Sequence, residues 1–132
     1  MTPPSLRSSN LIASFRHAFA GVGYALRTQR NAQIHLAATI LAVLLGFWLA
    51  LGTTQWCLIL MAIGLVWMSE LSNTALENIV DLITPEYNEL AKTAKDLKAG
   101  AVVAAAFAAA GIGILVLGPP LFLRLQLLLG AR

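Results

Sequence analysis

Glu70, Asn73, Glu77 and Asp81 stand at steps of three, four and four in a stretch that is otherwise mostly apolar. At about 100° of turn per residue they fall within roughly 60° of one another around a helix. Leu71, Leu76, Ile79 and Leu82 lie elsewhere on that helix, and Thr74 sits beside the row. Hard divalent cations take oxygen ligands, and Mg2+ commonly binds carboxylates together with substrate phosphates. Phosphoryl transfer needs positioning, charge neutralisation and a base for the attacking hydroxyl. Glu70 is the deepest of the row, where a carboxylate withdrawn from water suits the part of general base. Glu77 lies one to two turns away and is placed to hold a metal, while Lys95 offers a mobile positive charge to phosphate oxygens. The competing reading of any single carboxylate is a buried structural pair. Ionisable groups in a span cost about 2.5 to 3.5 kcal/mol each on insertion scales, so a whole row of polar groups favours function over packing.

The elements that must position this row are expected to cross a bilayer. The chain has 132 residues, 58% hydrophobic and only 11% charged, with a mean hydropathy of +0.77. Soluble domains carry about 25% charged residues, and a chain this poor in charge could not cover its own core with a polar surface. One domain over 1–132 is the natural expectation. After a lead from Met1 to Ser9 that reads as disordered, Leu11, Phe15, Ala18, Phe19, Val22 and Leu26 recur at helical steps with Arg16 and Arg27 beside them. That pattern predicts an amphipathic helix over 10–29 lying in the headgroup plane. A first span is predicted over 33–51, followed by an uncharged turn at Gly52 to Gln55 with interfacial Trp48 and Trp56 on either side. The second span, 56–83, carries the polar row and stops at Pro85. A charged loop, Thr84 to Asp96, leads to a third span over 98–117 whose alanines and glycines allow close helix packing. Gly118-Pro119-Pro120 is expected to end that span, with the tail along the interface. The fold class is all-α integral membrane: a surface helix and three transmembrane helices.

Charge gives the orientation. All six acids lie between Glu70 and Asp96, and seven of the nine bases lie either in the first thirty residues or at Lys92, Lys95 and Lys98. The positive-inside rule places those two groups together in the cytoplasm, with Arg124 and Arg132 opposite. The polar row is therefore expected to open toward the cytoplasm. Basic patches can signal nucleic acid, but no groove-reading motif accompanies these, so no nucleic-acid partner is expected. The single Cys57 belongs to no disulfide or metal pattern. No cleavable leader is visible. No GxxxxGK[ST] phosphate loop is present either. Residue spacing thus reaches a carboxylate site at a membrane face but does not reach a nucleotide.

The run from Glu70 to Asp81 (ELSNTALENIVD) with Thr84 to Asp96 (TPEYNELAKTAKD) resembles the bacterial membrane lipid kinases, the diacylglycerol kinase and undecaprenol kinase family. Arg30-Asn31, Ile34-His35, Ser14-Phe15 and Ala18-Phe19 with Gly21 look similar to the same family, and the likeness covers about residues 10 to 117. The resemblance implies Glu70 as catalytic base and Glu77 as metal ligand. It implies Asn10, His17, Asn73, Asp81, Glu86, Tyr87, Asn88, Lys95 and Asp96 around ATP, and Phe15, Phe19, Asn31, His35 and Glu70 beside the lipid alcohol. It further implies Mg2+ and a homotrimer with sites between subunits at the cytoplasmic boundary. Gln29 stands where the family usually has a second metal-binding glutamate, and Asn10 and His17 stand where diacylglycerol kinases often carry Arg and Tyr. An amide oxygen can still coordinate Mg2+, though without charge, so the site would hold its second metal more weakly or work with one. The segments around His35 and VDLITPEY look more similar to the undecaprenol kinase branch, which makes undecaprenol the expected substrate and diacylglycerol the alternative. A non-catalytic scaffold or a small transporter are the rival classes. A transporter would be expected to carry polar groups along the whole crossing, whereas here the outer halves of the spans are apolar.

Overall fold

The computed structural model describes residues 10–84 and 86–130. The lead at Met1 to Ser9 and the stop at Pro85 lie outside the described residues, as does Arg132. Four helices follow one another: α1 Leu11–Thr28, α2 Arg30–Trp48, α3 Thr53–Ile83 and α4 Glu89–Leu128. Among the described residues the last three are long and apolar enough to cross a membrane. Their large apolar side chains, among them Phe47, Met61 and Phe107, face outward at 70–75% exposure. A bilayer is the natural solvent for such a surface. The chain is a helical membrane protein.

α1 begins at an Asn10 cap, whose Oδ1 accepts from the Ala13 amide at 2.8 Å. It ends at a single extended residue, Gln29, with φ −111° and ψ 117°. The Gln33 side-chain amide reaches back across that break to the Leu26 carbonyl at 3.0 Å, satisfying a terminal acceptor of α1. The buried Ala25 and Ala32 flank the same break. Tyr24 ties α1 to α3, its hydroxyl donating to Asn78 Oδ1 at 3.3 Å.

The α2–α3 turn lies three residues earlier than expected. Thr53 to Gln55 belong to the first turn of α3, and the connection is Leu49 to Gly52. The Leu51 amide donates to the Gly46 carbonyl and the Ala50 amide to Phe47, both at 3.1 Å, with Ala50 at φ +52°. That is a Schellman ending with alanine in the left-handed position usually held by glycine. The Gln55 side chain accepts from the Gly52 amide at 2.9 Å, which starts α3 at once. Beneath the turn Gly46 has no space for a β-carbon, which would stand 2.7 Å from the Trp56 ring.

α3 packs most extensively on α4 and α2 fits along the pair. Leu51, Ile59 and Val116 form the buried cluster at the turn end, with Trp56 and Ile112 packed against it. Midway along, the Trp67 indole donates to Thr39 Oγ1 at 3.1 Å. α4 corrects the expectation of a third span confined to 98–117: it starts at Glu89 and continues through Pro119 and Pro120 to Leu128. Asn88 explains the early start, since its Oδ1 accepts from the Leu90 amide at 2.9 Å and the Ala91 amide at 3.2 Å. The two prolines remove donors but do not end the helix. In hydrocarbon an unwound backbone is costlier than a missing bond, and the flanking Leu-rich sequence keeps the helical state.

Candidate active site

Glu70 of α3 is buried where α2 packs on α3. Its side chain is 1% exposed, and neither carboxylate oxygen has a hydrogen-bond partner among the described residues. His35 of α2 approaches with Nε2 at 3.9 Å from Oε2, too far for a hydrogen bond, and this Nε2 is itself buried without a partner. Unpaired buried polar groups are costly, so two of them facing one another across a gap mark a place built for something else. Thr74 Oγ1 donates to the Glu70 carbonyl at 3.1 Å and so stays turned into its own helix.

One turn toward the charged end, the Asn73 amide donates to Glu77 Oε1 at 2.9 Å and leaves Asn73 Oδ1 buried and unpartnered. An acceptor without a donor beside a half-buried carboxylate is a donor set for a hard cation. Among the described residues no group of three or more His, Cys, Asp or Glu could hold a metal alone. Any ion there would draw the rest of its shell from phosphate and water, as Mg2+ commonly does.

Asp81 lies eleven residues beyond Glu70, about 16 Å along the helix at 1.5 Å per residue. There the row meets α4, with Lys95 Nζ 2.5 Å from Asp81 Oδ1. Glu86, Tyr87, Asn88, Lys92 and Asp96 close around the pair in a polar cleft of about 320 Å³. Lys92 pairs with Asp96 at 2.8 Å, one helical turn on. The Tyr87 hydroxyl donates to Glu89 Oε1 at 2.6 Å, a bond that raises the phenol's pKa, assisted by burial and by the charge of Asp96.

The sequence-predicted residues thus fall into two groups. Glu70, Asn73, Glu77 and His35 meet within the helix bundle. Asp81, Glu86, Tyr87, Asn88, Lys95 and Asp96 meet at its charged end. The remainder stand apart in one chain. Asn10 caps α1. Phe15 and Phe19 are exposed on α1, as is His17. Asn31 is exposed in the first turn of α2, and Gln29 at the α1–α2 break is not hydrogen-bonded to Glu77. Sequence reasoning passed over Lys92 as a member of the polar cleft, although its i,i+4 spacing to Asp96 is visible.

The structure is thus a bundle of helices long and apolar enough to cross a membrane, one of which carries both a buried carboxylate and one wall of a charged cleft. The chain belongs to the prokaryotic diacylglycerol kinase family, whose model matches residues 16–117. It is therefore a lipid kinase by family. It is 46% identical over 113 residues to a Synechocystis diacylglycerol kinase, a match covering 85% of this chain and 65% of that protein. It is 44% identical over 108 residues to a Bacillus subtilis undecaprenol kinase, covering 82% and 88% of the two. Against an Escherichia coli diacylglycerol kinase it is 33% identical over 104 residues, covering 74% and 85%.

Proposed function

We propose that the protein transfers the γ-phosphoryl group of Mg-ATP to the primary alcohol of a membrane lipid, undecaprenol before diacylglycerol. The observation that carries this reading is the unpaired, buried Glu70 carboxylate at the membrane end of a polar row that opens into the Asp81–Lys95 cleft. Glu70 accepts the hydroxyl proton as the oxygen–phosphorus bond forms and the bond from phosphorus to the ADP oxygen breaks. Lys95 lies against phosphate oxygens, and Asn73, Asp81, Glu86, Tyr87, Asn88 and Asp96 hold the rest of the nucleotide, with Asn10 and His17 reaching it from α1. Glu77, steadied by the Asn73 amide, would hold Mg2+, with Gln29 as a weaker second ligand. The ion would neutralise charge gathering on the transferred group.

Twenty residues of α3 counted from Thr53 reach Ser72, about 30 Å of helix, which is the thickness of the hydrocarbon core. Glu70 then stands just inside one edge of it and Asp81 outside. The positive-inside rule makes that edge the cytoplasmic face of a bacterial inner membrane. α1 would lie on the same face with Phe15 and Phe19 in the acyl layer beside Asn31 and His35. A homotrimer would bring the scattered residues of neighbouring chains to one site. Relatives of almost equal identity carry both substrate names. The preference for undecaprenol therefore rests on the likeness around His35 and VDLITPEY. The test is ATP turnover in mixed micelles with each alcohol in turn. Turnover should be highest with undecaprenol and absent in Glu70→Gln with the oligomer intact; no turnover with any lipid alcohol would leave a scaffold.

A further inference from the structure

A groove of about 510 Å³ runs between α3 and α4 and shares no lining residue with the charged cleft. Leu65, Met68, Ala104 and Ala108 wall its length, and Ser69, Ser72 and Lys98 line its end toward the charged loop. From Lys98 to Ala108 is about 15 Å of helix, half of a hydrocarbon core about 30 Å thick. The groove is thus as long as one leaflet is deep. Its mouth is level with Ser72, where the count along α3 puts the hydrocarbon edge. The far end of α4 agrees with this depth. Arg124 stands about 39 Å of helix beyond Lys98, close to the 40 to 45 Å of a bilayer with its headgroups. Its guanidinium lies 5.9 Å over the ring of Trp48, an aromatic suited to that interface. At the charged end Lys92 and Lys95 are paired with Asp96 and Asp81. Lys98 is half-buried and, among the described residues, paired with no acid. An uncompensated cation at headgroup depth, over an apolar groove one leaflet long, complements a lipid with a negative head.

We propose that this groove binds an anionic phospholipid of the cytoplasmic leaflet, its phosphate on Lys98 Nζ and one acyl chain along Ala104 and Ala108. The lipid is held intact and is not a substrate, since no carboxylate lines the groove to act as a base. The Ser72 hydroxyl donates to the Met68 carbonyl at 2.7 Å, which leaves Ser69 as the hydroxyl donor for an ester oxygen. A zwitterionic head would bring a cation of its own to a rim already basic, so a net negative head is preferred. The proposal rests on the membrane placement above and not on the kinase reading.

The test is lipid retention by the purified full chain, read by native mass spectrometry from micelles holding equal phosphatidylglycerol and phosphatidylcholine. Wild type should retain phosphatidylglycerol in preference. Lys98→Gln should cut the amount retained about fivefold, the effect of one basic residue near an anionic surface, whereas Lys98→Arg should keep it. Ala104 is exposed within the groove, so Ala104→Leu fills the space and should lose both lipids. Val103→Leu, exposed on the same helix but not lining the groove, should behave as wild type, as should Arg124→Gln at the opposite face. Mg-ATP should leave retention unchanged. Wild-type retention in Lys98→Gln or in Ala104→Leu would overturn the site, and so would an equal loss in Arg124→Gln, which would mean unspecific charge attraction. Displacement of the lipid by Mg-ATP would make Lys98 a nucleotide contact and overturn it as well. If wild type retains no phosphatidylglycerol and Ala104→Leu breaks the oligomer, a second copy fills the groove and the proposal fails. Retention as expected in a chain that phosphorylates no lipid would uphold the site and reject the kinase reading.

Discussion

Glu70 is the residue on which the proposed chemistry turns, and its two neighbours define how substitutions there should behave. Replacing it with Gln keeps the shape and removes the base, so turnover should fall by about 10² to 10⁴, the usual contribution of a positioned proton acceptor. KM for ATP and the oligomer should be unaffected, as steady-state kinetics and size-exclusion chromatography would register. Asn73→Ala acts differently, because it releases Glu77 Oε1 from the Asn73 amide and deletes the orphaned Oδ1. It should raise the Mg2+ concentration needed for half-maximal rate several-fold, while Gln29→Glu should lower it by adding a charged oxygen; an unchanged metal titration in both would place the ion elsewhere. The row was legible in the sequence because a 3-4-4 spacing fixes one helical edge whatever packs on it. The His35–Glu70 gap was not, since thirty-five residues separate the pair and only the packing of α2 on α3 sets their 3.9 Å distance.

At the scale of elements, the turn between α2 and α3 holds the far end of the bundle and can be altered without touching the site. Ala50 at φ +52° adopts a conformation that costs an L-residue roughly 1 to 2 kcal/mol over glycine. Ala50→Gly should therefore stabilise the protein by about 1 kcal/mol in detergent unfolding, less the entropy glycine adds to the unfolded chain. Gly46→Ala should destabilise by about 1 to 3 kcal/mol, the range for overpacking, because its β-carbon would press on the Trp56 ring. A second change, Trp56→Leu, should restore part of that loss if the ring is the obstacle. The Schellman bonds at this turn carry no composition signal when alanine replaces the usual glycine. For that reason Gly52 to Gln55 read as the loop while the true connection lies three residues earlier. The opposite failure occurred at α4, where Gly118-Pro119-Pro120 has the appearance of a stop and the helix nevertheless runs to Leu128. Proline rules learned in water overstate termination where the alternative is bare backbone in lipid. The Asn88-Glu89 start did carry a readable cap signal, hidden because the surrounding charges suggested a loop.

For the whole molecule the question is whether one chain contains a complete site. Its two polar groups lie about 16 Å apart along α3, Gln29 and the α1 residues stand away from both, and no metal cluster closes among the described residues. If the site is completed by a second copy, Glu70 and Lys95 serving the same phosphoryl group come from different chains. Glu70→Gln and Lys95→Ala, each inactive alone, would then complement one another when unfolded, mixed in equal amounts and reassembled. Each site would draw its two residues independently, so about a quarter of sites would carry neither substitution, and turnover should return to about that fraction of wild type. Crosslinked homo-oligomers of each variant, mixed after assembly, should remain inactive. Silence in the reassembled mixture, with mixed oligomers demonstrated by differential tags, would mean that each chain acts with its own Glu70 and Lys95 despite their separation. Any oligomer would then serve only to cover apolar helix faces. Recovery would instead explain why the individual protomer holds its functional side chains so far apart.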